Sequence, residues 1–153
     1  MFAEETARLA GILATEIVAC HHICSTAIPD ILAKPIVDIL LAVEDIQKID
    51  SYNDQLIRLG YLPRGEYGIP GRRYFIKEIN GVRTYHVHTF QAGNPEIARH
   101  VNFRDYLIAN PAEAEAYSRL KAELAQKYPQ DTISYTEGKT AFIRSIDEKA
   151  SAR

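Results

Sequence analysis

The sequence predicts an α+β fold, with a small mixed β-sheet packed with helices and a helical layer in the C-terminal half. Three observations predict it. Two Ile- and Val-rich segments, residues 16–23 and 34–43, read as strands. Asn80-Gly81 lies between the alternating segments 73–79 and 82–90, the strongest short hairpin signal because both central residues need positive φ. Beyond Asn94, two Asn-Pro starts and a Pro129 stop delimit helices.

Taken in order, residues 2–14 form a helix, because Phe2, Leu9, Ile12 and Leu13 fall on one broad face. Residues 16–23 follow as a short strand. Lys34-Pro35 opens the most apolar segment of the chain, at a position where a strand tolerates proline. Both of its faces carry Ile, Val or Leu, which predicts a central strand covered on both sides. A helix runs from about Asp45 to Leu59, with Gly60 as its stop. Residues 61–71, with Pro63, Gly65, Gly68, Pro70 and Gly71, read as a mobile loop. After the hairpin, Asn94-Pro95-Glu96 and Asn110-Pro111-Ala112-Glu113 each put a cap residue before a first-turn proline. Asp131 or Thr132 caps a third helix ending near Lys149.

At 153 residues the chain is read as a single domain, residues 1–153. A net charge of −2 speaks against bulk binding to nucleic acid, so any anion site must be a local cluster. No apolar run approaches the ~18 residues of a membrane span. Cys20 and Cys24 share one apolar segment, and Glu4 and Glu5 stand where a signal peptide would be basic. These features point to a reducing, cytoplasmic setting without membrane attachment.

Several side chains carry candidate chemistry. A hairpin with a plain two-residue turn pairs Lys77 with Thr84, Phe75 with His86 and Arg73 with His88. Arg73, Lys77, His86 and His88 then share one face opposite a core face of Tyr74, Ile76, Tyr85 and Val87. That pattern fits a phosphate-binding surface, and equally a solvated sheet face. His86-x-His88 also has metal-ligand spacing, and with Asp38 on a neighbouring strand and His22 at the end of another it is a candidate two- or three-ligand site. Asp38 lies among Val37, Ile39, Leu40 and Leu41, where a buried charge needs a cation or a metal. A structural ion pair with Lys34 or Arg73, or a loop cap, is the alternative. Arg104 and Lys139 each interrupt an apolar helical arc, placed either to snorkel outward or to reach an anion.

The stretch His21-His22-Ile23-Cys24-Ser25-Thr26-Ala27-Ile28-Pro29 and the later Lys34-Pro35-Ile36-Val37-Asp38-Ile39-Leu40 resemble the GrpB family, grouped with the nucleotidyltransferase fold of the DNA polymerase beta type. The family's usual forms are E-H-I-G-S-T-A-V-P-G-L and A-K-P-I-I-D-I-L. The likeness continues through residues 71–77, 85–88 and 103–107 to Tyr135–Ile143. It implies a nucleotidyltransferase-like protein that takes a nucleoside triphosphate with Mg²⁺ or Mn²⁺ near Asp38, the catalytic acid. Ser25, Thr26 and Lys34 would contact phosphates, Arg73, Lys77, Arg104 and Lys139 would balance charge, and Asp38, His86 and His88 would serve the metal. Two departures stand out: Cys24 replaces the family glycine, and Asp30 replaces the glycine after Pro29. The cysteine is read as simple drift in preference to a reactive, low-pKa thiol. Two-metal transfer also wants an acid-x-acid pair. Here Leu40 follows Asp38, and His86 and His88 occupy the expected strand of the third acid. The alternatives are therefore a non-catalytic module for a nucleotide or another phosphorylated small molecule, and a His/Asp metal site.

Overall fold

A computed structural model of the chain describes residues 2–24, 27–28 and 36–151. Helix α1 (Phe2–Leu13) puts Glu5, Leu9 and Leu13 on one buried stripe at helical spacing. A 3₁₀ turn, Ala14–Glu16, leads into β1 (Ile17–Ile23). Strand β2 (Val37–Val43) follows, buried along nearly its whole length as its continuous apolar run requires. The expected opening of that strand at Lys34-Pro35 lies outside the described residues.

The helix expected over 45–59 is broken into α2 (Ile46–Ile49), a 3₁₀ turn over Asp50–Tyr52, and α3 (Asn53–Leu59). Asp45 caps α2, its carboxylate accepting from the Gln47 N–H at 3.0 Å. Gly60 ends α3 at φ 107°, a conformation glycine adopts without penalty. The loop expected over 61–71 begins with a short strand instead, β3 (Tyr61–Pro63), because Tyr61 is an anchor buried beneath α1.

Strands β4 (Arg73–Ile79) and β5 (Val82–Gln91) form the hairpin, with Asn80 and Gly81 both at positive φ. The sheet has five strands in the order β1-β2-β5-β4-β3. Among the described residues only the β2–β5 pair is parallel. Helices α4 (Pro95–Ala109), α5 (Pro111–Lys127) and α6 (Thr132–Ser151) complete the chain. Asn94 caps α4 by accepting from the Glu96 N–H at 2.9 Å. Asn110 precedes Pro111 as expected but does not cap. Its side-chain amide turns back to donate to the Tyr106 carbonyl. Gly138 lets α6 close onto α5: a Cβ there would stand 2.5 Å from a Leu124 methyl.

The mixed sheet thus lies between two helical layers. One face buries Val37, Ile39, Leu41, Phe75, Tyr85 and Val87 against Leu9, Leu13 and Leu56. The other buries Ile23, Leu40 and Phe90, with Ile97 of α4 packed against them. Among the described residues no helix is long and apolar enough to cross a membrane.

Candidate functional site

The hairpin register decides which side chains can meet. Ile79 faces Val82 and Glu78 faces Arg83, but Lys77 then faces Tyr85, so Thr84 is an extra residue in β5. This bulge shifts the remaining ladder by one. Tyr74 faces His88 and Ile76 faces His86, whereas Phe75 and Lys77 turn to the opposite face. The expected basic face of Arg73, Lys77, His86 and His88 does not exist, because side-chain parity inverts across a one-residue slip. Arg73 instead pairs with Asp50 at 2.7 Å. Lys77 pairs with Glu5 at 2.9 Å. His22 is also on the far face, where its ring stacks on Phe2 at 4.9 Å.

The two histidines stay together because both are on β5, and the parallel ladder sets Asp38 directly beside His86. His88 Nε2 lies 3.2 Å and His86 Nδ1 3.4 Å from the same Asp38 oxygen, Oδ1. Burial alone would raise the Asp38 pKa, but the two imidazole hydrogen bonds outweigh it and hold the carboxyl at about 2. Asp38 is therefore fully ionised at neutral pH, although its side chain is only 17% exposed. Burial holds the His88 pKa below its ordinary value despite the neighbouring carboxylate. His100 of α4 packs its ring 5.9 Å from that of His88 and is pushed down to about 4, chiefly by burial. The His86 Nε2 atom is buried with no hydrogen-bond partner among the described residues.

Behind this cluster stand two groups the sequence reading passed over. Arg72, only 6% exposed, reaches His88 Nδ1 at 3.2 Å. Its guanidinium lies 4.4 Å from the centre of the Tyr74 ring, which also contacts both histidines. The signal is the adjacent pair Arg72-Arg73 at the entry to a strand, where alternation puts the two side chains on opposite faces. On the far face, Glu5 is wholly buried, bonded by Tyr61, Lys77 and Arg8. Burial would raise its pKa, and these donors together pull it below the ordinary value. Its sequence signal was its place four residues before Leu9, on the buried arc of the first helix.

The pairing of Ile23 with Asp38 brings the end of β1 beside the carboxylate. Cys24 follows at φ 62°, in the left-handed region its family glycine would favour. Burial first, and Asp38 second, push its thiol pKa up, which speaks against a reactive thiol. Lys139, Lys121 and Arg99 act in the opposite sense, which places three cations within electrostatic reach of this turn. Arg104 spans from α4 to donate to the His22 carbonyl at 3.0 Å and to Asp105 at 2.9 Å. Ser25, Thr26 and Lys34 lie outside the described residues. Among the described residues, no group of three His, Cys, Asp or Glu is arranged to hold a metal ion. The surface cleft of about 380 Å³ between α4 and α6 is lined by Arg99, Asn102 and Asp147 and is separate from Asp38.

Comparison with known proteins agrees with this architecture. A crystal structure of the conserved protein GrpB from Enterococcus faecalis superposes with a TM-score of 0.92 at 44% identity, over 97% of this chain and 89% of that one. The protein YqkA of Bacillus subtilis is 46% identical over 149 residues, although this chain spans only 43% of its length. The glutamate-rich protein GrpB of Alkalihalophilus pseudofirmus is 35% identical, and this chain spans 86% of it. The GrpB protein family profile matches residues 1–149. With sequence blocks, strand order and relatives in agreement, this chain belongs to the GrpB family.

Proposed function

We propose that this protein binds a nucleoside triphosphate, or another phosphorylated small molecule of that size, together with a divalent cation at the sheet face carrying Asp38. One observation carries this reading. Asp38 is ionised and largely buried, yet among the described residues only imidazoles bond to it and no Lys or Arg pairs with it. A carboxylate kept ionised at such depth by neighbours that do not cancel its charge is placed to meet an incoming cation. The donor chemistry fits Mg²⁺ or Mn²⁺, which are commonly held by one or two carboxylates and the phosphate oxygens of the ligand rather than by an all-protein cage. Such an ion, when bound, would neutralise phosphate charge beside Asp38.

The protein's own residues divide the remaining work. Asp38 is the protein's anionic ligand, while His86 and His88 hold its Oδ1 by hydrogen bonds. Lys139, Lys121 and Arg99 lie within electrostatic reach of Cys24, and Ser25, Thr26 and Lys34 are proposed as phosphate contacts beside it. Arg104 ties the end of β1 to α4 and so positions the turn. Arg73 and Lys77 take no part, since each is paired with a carboxylate, Lys77 on the far face.

Binding without transfer is the reading favoured by Leu40. It follows Asp38 by two residues on the same face, where a second acid would be needed, and it is fully buried. Calorimetric titration of Mn²⁺–ATP into the protein and Asp38→Asn, with a pyrophosphate-release assay, tests both points. Binding that depends on Asp38 without pyrophosphate release supports a binding module. Asp38-dependent release supports a transferase, and no binding to either protein overturns the proposal.

A further inference from the structure

The sheet register draws two rows outward from the Asp38 strand. One runs from Asp38 through His86 and Ile76 to Leu62, and the next from Leu40 through His88 to Tyr74. Paired residues point to the same side, so this face turns from a carboxylate to apolar and aromatic groups within two strands. Leu62, at the end of its row, is 51% exposed. Tyr67 extends the other row, its ring stacked on that of Tyr74 at 5.4 Å with 21° between the planes. Tyr74 packs 5.0 Å from the His88 ring, whose Nε2 lies 3.2 Å from Asp38. A triphosphate and a ribose are long enough to cover these steps.

The backbone holds Tyr67 at φ 48°, in the left-handed region that a bulky residue seldom adopts. Buried Arg72 secures it there, donating from Nη2 to the Tyr67 carbonyl at 2.8 Å and from Nε to the Glu66 carbonyl at 3.1 Å. The Arg64 N–H donates to the Tyr74 carbonyl, and the Tyr74 N–H to the Gly65 carbonyl, which closes the base of the loop. Under all this restraint Tyr67 is still 59% exposed, so its own burial is not what the strain secures. The Arg64 guanidinium lies 5.9 Å from the Tyr67 ring centre, a looser contact than the 4.4 Å of Arg72 over Tyr74. Strained residues of this kind recur at ligand clamps, and a rigid, exposed tyrosine is a platform for a flat ring. We infer that Tyr67, flanked by Arg64, is a stacking subsite for the planar base of a nucleotide whose phosphates lie at Asp38. This inference rests on the phosphate and cation site proposed above, and narrows its ligand to one that carries an aromatic ring.

Titration calorimetry of the full chain with Mn²⁺–ATP and with Mn²⁺–tripolyphosphate, which has the phosphates but no base, tests it. The wild type should bind the ATP complex more tightly. Tyr67→Gly removes the ring at a φ that glycine adopts freely, so the fold should hold. It should weaken Mn²⁺–ATP by about 5- to 150-fold and leave Mn²⁺–tripolyphosphate unchanged. Arg64→Gln should weaken Mn²⁺–ATP by about 2- to 5-fold, and no effect overturns its part in the subsite. The chain has no tryptophan, so Tyr67→Trp adds a single reporter. Its fluorescence should be quenched by Mn²⁺–ATP and not by Mn²⁺–tripolyphosphate. Asp38-dependent binding of both ligands with equal affinity overturns the stacking subsite and leaves the proposed function standing. Equal weakening of both ligands in Tyr67→Gly does the same, since it makes the residue a support of the loop. A tryptophan left unquenched while ATP binds also overturns the subsite, and needs no glycine variant to fold. If the wild type binds neither ligand, the subsite and the proposed function fall together.

Discussion

Lys77 Nζ lies 2.9 Å from a carboxylate oxygen of Glu5, and the pair sits across the sheet from Asp38. One ionic pair therefore stabilises the α1 face, and one carboxylate with two imidazoles marks the other. Keeping the two faces apart decides which residues a mutation experiment should touch.

Lys77→Met should destabilise the fold by about 1.5–3 kcal/mol, because it removes one charged donor from a buried carboxylate that Tyr61 and Arg8 still hold. Glu5 has no exposed side-chain surface to relieve that charge. Urea unfolding reads the loss directly. Phosphate-ligand binding by the folded fraction should be unchanged. A variant of normal stability with weakened binding would return Lys77 to the ligand site.

Cys24→Gly and Cys24→Ala form a matched pair. The backbone at φ 62° strains any residue with a Cβ, by roughly 1–2 kcal/mol. Alanine keeps that strain and loses the thiol's packing, so it should lower the melting temperature. Glycine loses the same packing but relieves the strain, so it should be the more stable of the two and close to the wild type. It should also bind Mn²⁺–ATP more tightly, since the backbone can approach a phosphate. A glycine variant less stable than the alanine variant would refute the strain account.

Stability should decline in mild acid because of His100. Its folded-state pKa of about 4 lies below the unfolded value, so the unfolded chain binds the extra proton first. Its contribution is complete above about pH 6.5 and is lost progressively as the pH falls toward 4, by roughly 3 kcal/mol at one pKa unit per 1.36 kcal/mol. Asp38 acts elsewhere on the scale. Its depressed pKa keeps its contribution intact above the unfolded value, near 4, with loss only as the pH falls through about 2. Denaturant midpoints at pH 7, 5.5 and 4.5 should therefore drop for the wild type. They should drop less for His100→Gln, and identical slopes in the two proteins would discard the assignment.

Asp38→Asn should leave the metal-free fold nearly as stable as the wild type. Both histidines bond to Oδ1, and an amide oxygen there can accept from both. The lost charge-assisted bonding and the relieved desolvation oppose each other at about 1–3 kcal/mol each. Melts with and without Mn²⁺ should show a metal-dependent rise only in the wild type. A large stability loss with no change in metal response would make Asp38 a structural residue.

The sequence by itself determined most of the elements and their kinds, the Asn80-Gly81 turn, the family blocks and the shared face of His86 and His88. Those are local or parity-protected properties: two histidines separated by one residue on a strand share a face under any register. Tertiary structure alone decided the rest. One extra residue at Thr84 inverted the hairpin faces and sent Lys77 to Glu5, because side-chain direction has a period of two and a single insertion reverses it. Packing against Phe2 took His22 to the far face, and the depth of Arg72 placed it behind His88. Such partners are far apart in the chain, and which charge meets which is settled only when the layers close around the sheet.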